Sequence, residues 1–467
     1  MLARLRPHLL LFLALTVAYH ANLRPIDSGD TLPGSLLPFA ILLDGAVTLD
    51  RFEPWLRVHV WYAPSVLQAA HRHYFSIYPI GGPLLVSPLY LPLAFFVRNW
   101  DTGSLVMLAR VAGKFAATTV AALSAVWLLL LLQRITSAPW AWTLTLVYAL
   151  ATETWSISSQ ALWQHGPGEL AVIGCLYGMQ RWWDDRARNG WLWLCGACAA
   201  AALVIRPTNL ILLLAVLAAL LFAKAGIAQY TRLLPLPLAA GLLLASYNWY
   251  VFDRLSGSYM VPRIEGSTLP ALAGLFFSPG RGFLIYTPVA LFALFAFFPV
   301  ARRKPNPLLV MATVFIALEW LVTSRWVLWW GGYCWGPRLL TELAPPLVVS
   351  MAMGVPAMEN PALRAWPRRA FAIFALYSVL IQAIGVFFYP KGHWDAGPPS
   401  VDNAPSRLWD WRDNPIARTV RGGFYWEPYA IAGAAITGGL KAARARMQEL
   451  NVDPYQQAQP IGDRGLR

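Results

Sequence analysis

Two acidic residues follow the first apolar segment of the chain. Asp27 and Asp30 lie within about one helical turn after residues 8–22. A carboxylate at the mouth of a membrane cavity loses part of its hydration and becomes a better acceptor for a hydroxyl proton. Either residue could therefore act as a general base. The alternative, in which both cap helices or face water, stays open because Asp is common near helix starts.

Arginines stand in two glycine-rich turns near apolar segments. Arg281 lies in FFSPGRGFLIYTPV, and Arg338 lies in WVLWWGGYCWGPRLLTELAPPL with Glu342 one turn further on. Glycine lets the backbone approach a ligand closely, and the planar arginine fork suits phosphate oxygens. Arg206, in IRPTN between two apolar runs, needs a partner or a water-filled cavity. The alternative is that these arginines extend to the outer membrane surface.

Further polar and aromatic candidates lie near the same ends of the apolar segments. Trp330 could stack on a sugar ring or belong to an interfacial aromatic belt. His165 could serve as an acid, a base or a hydrogen-bond donor, or could be structural. Glu319 lies inside an apolar run and must be paired or protonated.

The sequence gives weaker support for a metal site or a redox site. His71 and His73 are two positions apart and do not share a helix face, so a solvated loop is favoured over a metal site. Cys195 and Cys198 form a CxxC inside an apolar run, where they fit as small buried helix residues. No metal ligands are assigned, and the metal requirement stays unknown.

The composition is that of a polytopic membrane protein. Of 467 residues, 57% are hydrophobic and only 13% are charged, about half the share of a soluble domain. Such hydrophobicity also excludes a disordered chain. The net charge of +14 fits cytoplasmic loops better than a nucleic-acid surface. The first 21 residues could be a cleaved signal peptide, but in this setting they are interpreted as a retained span.

The apolar segments predict twelve crossings with both termini in the cytoplasm. This arrangement places the basic short connections inside, as the positive-inside rule requires. It also makes the proline-rich segment 83–97 a juxtamembrane or re-entrant helix on the outer side, since a full crossing there would reverse the loops that follow. The predicted spans lie near 8–22, 106–132, 139–157, 163–180, 190–206, 209–223, 234–252, 283–300, 307–327, 339–358, 370–389 and the short 427–440.

The long loops then lie outside, at 23–105, 253–282 and 390–426. Within the first loop, Leu36 to Leu43 is apolar enough to form a helix in the membrane interface. The stretch RLWDWRDNPIAR in the last loop could be a lid over a cavity or a packed surface plug. We expect one membrane domain over 1–446 and a polar, disordered cytoplasmic tail over 447–467.

Three segments together resemble one family. The stretch from Asp30 to Gly45, SPGRGFLIYTP and WWGGYCWGPRLL are similar to the GT-C superfamily of integral-membrane glycosyltransferases. The nearest branch is the protein O-mannosyltransferase and lipid A aminoarabinose-transferase group, and the topology matches along most of the chain. The resemblance implies an all-α fold of about twelve transmembrane helices, with juxtamembrane helices in the first outer loop.

The resemblance also implies a reaction. Such enzymes pass a sugar from a polyprenyl-phosphate carrier to an acceptor on the outer face, and Asp30 matches the family's catalytic first-loop Asp. Family members often have Asp-Glu there with a Tyr shortly after, whereas this chain has Asp30-Thr31. This departure leaves metal use and acceptor class open and keeps Asp27 as a rival.

The implied roles can be stated by residue. Asp30 is expected to be the base in a one-step, inverting attack. The other expected site residues are phosphate-binding Arg281 and Arg338, with Arg206 behind them, and an acceptor or sugar pocket of His165, Trp330 and Glu342.

The implied partners are membrane lipid, a polyprenyl-phosphate sugar as donor and a glycan, lipid or protein acceptor, at the cell membrane and without nucleic acid. No cofactor is assigned, and a divalent metal stays open. The rival hypotheses are a transporter, flippase or polymerase of lipid-linked saccharides and a non-catalytic scaffold.

Overall fold

The computed structural model describes residues 2–60, 62–258, 268–298 and 306–450. The basic residues 302–304 belong to one of the short connections predicted to be cytoplasmic. They lie outside these ranges. Most of the predicted polar tail, residues 451–467, does so as well.

The first half of the chain is built from helices joined by short connections. In chain order they are α1 (Leu2–His20), α2 (Leu32–Asp44), α3 (Glu53–His59), α4 (Ala63–Val66), α5 (Gly81–Phe96), α6 (Thr102–Ile135), α7 (Ala138–Leu150), α8 (His165–Asp184), α9 (Gly190–Ile205), α10 (Leu210–Phe222), α11 (Ile227–Leu233) and α12 (Pro235–Phe252). A π-helix at Thr154–Ser158 follows α7, and a 3₁₀ turn at Pro207–Asn209 joins α9 to α10.

The second half contains shorter helices and several 3₁₀ segments. The α-helices are α13 (Thr268–Phe277), α14 (Phe283–Tyr286), α15 (Pro307–Thr323), α16 (Ala344–Met358), α17 (Trp366–Phe387), α18 (Pro415–Gly422) and α19 (Glu427–Glu449). The 3₁₀ segments are Pro288–Phe297, Arg338–Leu343, Pro361–Leu363 and Pro405–Trp409.

One antiparallel hairpin, in the segment between α4 and α5, departs from an all-α chain. Strands β1 (Leu67–Ala70) and β2 (His73–Ser76) pair with Leu67 opposite Ser76. The two turn residues, His71 and Arg72, have φ of 51° and 65°, the geometry of a two-residue hairpin turn. Asn-Gly or Asp-Gly is the usual signal for this turn, and its absence hid the hairpin in the sequence.

Four helical segments of the described ranges are long and apolar enough to cross a membrane: Thr102–Ile135, Ile227–Phe252, Arg338–Met358 and Trp366–Phe387. Other predicted spans correspond to helices of 10 to 17 residues. The expected multi-pass helical architecture is confirmed, while the number of twelve crossings stays a prediction.

The helix predicted after Asp30 is present as α2. It is apolar along its length, packs against α5 and α6, and ends at Gly45, whose φ of 66° suits a residue without Cβ. Helix α5 corresponds to the proline-rich 83–97 segment and holds Pro88 and Pro92 within it. These two helices form the side of the molecule on which Asp30 lies.

The main core surrounds α8. This helix packs against α6 and α9, and α15 and α16 contact it from other directions. Small residues allow this close approach: a Cβ added at Gly178 would lie 2.7 Å from the Cys195 sulfur. The start of α8, the end of α9 and the 3₁₀ segment before α16 are thereby held close to one another.

Three predicted boundaries were wrong in detail. The span at 283–300 is a short α14 followed by a 3₁₀ helix, because the proline at 288 interrupts the α-helical hydrogen bonding. The span at 139–157 ends as an α-helix at Leu150. Helix α19 continues past the expected start of the tail at 447 to Glu449, with a kink at Gly439.

Candidate active site

A polar cleft opens beside the start of α8. Its enclosed part has room for about one water molecule, and it opens to solvent. Four separate parts of the chain supply its walls: the turn before α2, the start of α8, the end of α9 and the 3₁₀ segment before α16. The lining residues are Asp30, Trp163, Gln164, His165, Arg206 and Arg338.

Asp30 presents its carboxylate to this cleft. Oδ1 accepts a hydrogen bond of 2.9 Å from the Tyr78 hydroxyl, and Oδ2 accepts one of 2.7 Å from Nη1 of Arg338. The side chain is 32% exposed, so it can still reach a ligand. A compact turn orients it, in which the Thr31 hydroxyl donates to the Ser28 carbonyl at 2.9 Å. The residue at the N-cap of α2 is Thr31, whose side chain makes no cap hydrogen bond.

Asp27 points to a different partner. Its Oδ1 accepts from Nη2 of Arg110 on α6 at 2.7 Å, and its other oxygen accepts from Nε of the same guanidinium. Bidentate pairs of this kind fix both side chains. Asp27 is not among the cleft-lining residues. The structure therefore favours Asp30 over Asp27 as the carboxylate available to a ligand.

Arg338 forms the opposite edge of the cleft. Its Nη2 donates to the Gly331 carbonyl at 2.6 Å, and its guanidinium carbon lies 4.3 Å from the centre of the Trp163 ring. Gly331 has φ of 79°, which an L side chain rarely adopts. The glycine-rich turn thus supplies a carbonyl that aims Arg338 at Asp30.

A buried ionic cluster lies behind the cleft. Nδ1 of His165 is 2.8 Å from Oε2 of Glu342. Arg206 places Nη1 3.2 Å from the same Glu342 oxygen and 3.1 Å from Oε1 of Glu319. All four side chains are at most 6% exposed. Glu319, predicted to need a partner, has one in Arg206.

Arg281 lies elsewhere, under the loop of residues 390–414, which we call the outer plug. Its guanidinium is fully buried. It donates to the carbonyls of Trp330 at 3.1 Å, Gly280 at 2.9 Å and Gly332 at 3.1 Å, and it pairs with Asp395 of the plug. Burial raises the pKa of Asp395, and the charge of Arg281 opposes this shift.

Trp330 is held with Arg281 rather than in the cleft. Its indole nitrogen donates to Asp402 of the plug at 2.8 Å, and the side chain is buried in the main core. The outer plug therefore packs onto the glycine-rich turns, and the Leu408 carbonyl of RLWDWRDNPIAR accepts from the Gly280 amide at 3.2 Å. Neither Arg281 nor Trp330 is among the residues that line the cleft.

Two solved structures share this architecture. ArnT from Cupriavidus metallidurans bound to undecaprenyl phosphate aligns with a TM-score of 0.52 and 14% identity, covering 93% of this chain and 79% of that chain. The apo state of the same protein aligns with a TM-score of 0.51 and 14% identity, covering 96% and 72%. No family model and no curated protein matches the chain.

The chain has the GT-C fold. The resemblance inferred from the sequence is confirmed at this level, and the chain is a multi-pass membrane protein. Similarity to solved structures at 14% identity establishes the fold alone. The chemistry of the cleft depends on its own residues.

Two cleft contributions of this GT-C chain were missed in the sequence. Tyr78, which seemed only part of a rigid turn, supplies the hydroxyl on Asp30. Trp163 lines the cleft with an indole N–H that is buried and has no hydrogen-bond partner among the described residues. A buried donor without a partner is uncommon and marks a place for a ligand or water. Neither residue carries a sequence signal that distinguishes it from the many other aromatics.

Metal ligation has no counterpart in the part of the chain that the structure describes. No group of three or more His, Cys, Asp and Glu side chains there could hold a metal ion. The ionisable side chains that line the cleft are one carboxylate (Asp30), two arginines (Arg206 and Arg338) and one histidine (His165).

Proposed function

We propose that the chain is a glycosyltransferase. It moves a sugar from a polyprenyl-phosphate carrier to an acceptor hydroxyl at the outer face of the cell membrane. The single observation that carries this proposal is the pairing of Asp30 and Arg338 at one open cleft, on residues 308 positions apart. The GT-C fold supports it, since ArnT of this fold was solved with undecaprenyl phosphate bound.

Asp30 is the proposed base. It is the partly exposed carboxylate of the cleft, and a base must lie within hydrogen-bond reach of the proton it removes. The hydrogen bond from Tyr78 and the pair with Arg338 fix its two oxygens in direction. The acceptor oxygen attacks the anomeric carbon as Asp30 takes its proton, and the sugar–phosphate bond breaks in the same step.

Arg338 is the proposed cation for the leaving phosphate. Breaking the anomeric C–O bond places negative charge on phosphate, and a preorganised guanidinium stabilises that charge. Arg206 serves differently in this proposal, because its charge is already opposed by Glu319 and Glu342. We assign it to holding the cluster in place.

The test is sugar transfer by purified, detergent-solubilised protein supplied with radiolabelled polyprenyl-phosphate sugars and membrane-derived acceptors. Removing a general base costs about 10²- to 10⁴-fold in rate, so we expect Asp30→Asn to lose at least about 10²-fold. Asp27→Asn is the matched control, with the rate per folded protein expected within a few fold of wild type. Full activity in Asp30→Asn, or no donor consumed by wild type, would refute the proposal.

The transporter or flippase alternative is separated by a second readout. Proteoliposomes containing the protein and a labelled polyprenyl-phosphate sugar would show movement of intact donor across the bilayer without loss of the sugar. We expect sugar transfer and no such movement, because the charged residues of the cleft gather at one end of the helices rather than along a path between the two faces.

A further inference from the structure

The ring of His165 is oriented by a buried carboxylate. Its Nδ1 is 2.8 Å from Oε2 of Glu342, whose side chain is 0% exposed. A carboxylate in this position accepts the Nδ1 proton and thereby fixes the ring. A second proton on the ring can then reside only on Nε2.

The ring that carries this second nitrogen lines the cleft. His165 is one of the residues that line it, and Nε2 has no hydrogen-bond partner in the described part of the chain. A group of the ligand or a water can therefore occupy the position facing Nε2. Asp30 and Arg338 line the same cleft, so a phosphate held by Arg338 lies in the space that His165 also faces.

Several charged groups surround the His165 ring. They come from several packed elements, and they are Asp30, Glu169, Arg206, Glu319, Arg338 and Glu342. Arg338 balances Asp30, whereas Arg206 alone faces both Glu319 and Glu342. Glu319 Oε2 and Glu342 Oε1 are buried without a hydrogen-bond partner in the described ranges.

An imidazolium at His165 would place its positive charge against the Glu342 carboxylate, which Arg206 also contacts. Entry of a phosphodiester adds a further negative charge on the other side of the ring and favours the same protonated form. Glu169, one turn along α8, accepts a hydrogen bond from the Thr154 hydroxyl at 2.6 Å through its Oε1.

We propose that His165, held by Glu342 and protonated on Nε2, donates that proton to the oxygen that leaves with the phosphate. This inference rests on the proposed glycosyl transfer and adds a general acid opposite the base Asp30. Among the residues of the cleft, it makes His165 a second catalytic residue and Glu342 its positioning residue.

The step balances. The bond between the anomeric carbon and the bridging oxygen breaks, and its electron pair stays on that oxygen, which receives the Nε2 proton. The acceptor oxygen forms the new bond to the anomeric carbon and gives its proton to Asp30. The product is a singly protonated polyprenyl phosphate, and His165 regains a proton from Asp30 or from solvent.

The pH dependence of transfer distinguishes this role from others. A base must be deprotonated and an acid protonated, so wild type should show an acidic limb from Asp30 and an alkaline limb from His165. In His165→Gln we expect a rate at least about 10²-fold lower at the optimum and no alkaline limb. His59→Gln, which alters an exposed histidine of α3, should keep the wild-type profile.

Glu342→Gln tests the positioning role with the histidine intact. Loss of the carboxylate destabilises the imidazolium, so the alkaline limb should move to lower pH by about one unit or more. A merely structural role for the pair would lower the rate in both variants and leave the shape of both profiles unchanged. Loss of the acidic limb in His165→Gln would mean that His165 is the base instead, and would overturn the proposal.

A binding measurement separates this inference from the proposed function. Farnesyl methyl phosphate carries one fixed negative charge and does not itself titrate near neutral pH. Calorimetry in buffers of different ionisation enthalpy gives the protons taken up when it binds. At pH 7.5 we expect wild type to take up more protons on binding than His165→Gln does, by at most about one proton per site.

The outcomes then divide clearly. Proton uptake on binding without sugar transfer would refute the proposed function and retain the protonated His165. Equal uptake by wild type and His165→Gln, or no binding by wild type, would refute the assignment of His165 even if sugar transfer occurs.

Discussion

Replacing Arg281 with Met should release the outer plug. Arg281 is the buried cation to which plug residue Asp395 is paired, and it also holds the carbonyls of Trp330 and Gly332. The carbonyl of the intervening Gly331 holds Arg338. The substitution therefore removes two contacts to the plug, the Asp395 pair and the face of the Trp394 ring, and two contacts to the turn that aims Arg338 at the cleft.

The magnitude follows from the burial of the pair. Arg281 is 0% and Asp395 is 8% exposed, so removing one partner leaves a buried carboxylate unpaired, at a cost of about 3–5 kcal/mol. At about 1.4 kcal/mol per factor of ten, this raises the opening equilibrium of the plug by about 10² to a few times 10³. The stability of the whole fold sets the upper limit.

Hydrogen exchange followed by mass spectrometry measures this opening directly. The informative amides are those of Gly280, which donates to the Leu408 carbonyl at 3.2 Å, and Val401, which donates to the Asp395 carbonyl at 2.9 Å. We expect both to exchange about 10²-fold faster or more in Arg281→Met, with little change in α6. Sugar transfer should fall as well, because Arg338 loses its support.

The control is Arg418→Met. Arg418 also pairs with a carboxylate of the plug, Asp413 at 2.7 Å, but both side chains are about a third exposed. Exposed pairs contribute about 0–1 kcal/mol, so the plug should exchange within about fivefold of wild type. If Arg281→Met behaves like this control, burial of the pair does not hold the plug and the reasoning is wrong.

Three further predictions concern the outer face. Tyr78→Phe removes a hydrogen bond to Asp30 and should lower kcat/KM about 2- to 12-fold, and an unchanged value would count against Asp30 as the base. Partial burial raises the pKa of Asp50, but hydrogen bonds from the Tyr74 amide and His73 outweigh this and hold its pKa below the ordinary value. The resulting stabilisation of the hairpin is full above about pH 4 and is lost as pH falls through the folded-state value, so exchange of hairpin amides, corrected for intrinsic rates, should reveal more frequent opening only in acid. In a cysteine-free background, Asn403→Cys should react with an impermeant maleimide on intact cells, and Arg368→Cys only after permeabilisation; the reverse pattern would invert the predicted topology.

Helices and their polar ends were largely predictable, because apolar runs bounded by charged residues have few other solutions in a membrane. The helix following Asp30, the need of Glu319 for a partner and the gathering of Asp30, Arg206, His165 and Arg338 at one end follow from that constraint. The pairings themselves were not predictable, since Asp30 and Arg338 are 308 positions apart and meet only in the folded chain.

The sequence does not distinguish the roles of the two arginines that stand in glycine-rich turns. Arg281 and Arg338 have the same flanking chemistry, and a guanidinium can serve carbonyls or phosphate equally well. Only the structure shows that Arg281 is enclosed by carbonyls and Asp395, whereas Arg338 faces a cleft. The hairpin and the 3₁₀ helix at Pro288–Phe297 were missed for a related reason, because apolar composition does not specify backbone geometry.

The short helices beside the cleft bear on the bilayer itself. Helix α9 has 16 residues and α10 has 13, which gives lengths of about 24 Å and about 20 Å. A typical hydrocarbon layer is about 30 Å thick, so each of these helices, where it forms a predicted crossing, is hydrophobically mismatched. Arg206, at the junction of these helices, would then lie below the surrounding acyl boundary, or the lipid would thin to meet it. In the proposed transfer, bilayer thickness would then set how far a carrier phosphate must descend to reach His165 and Arg338.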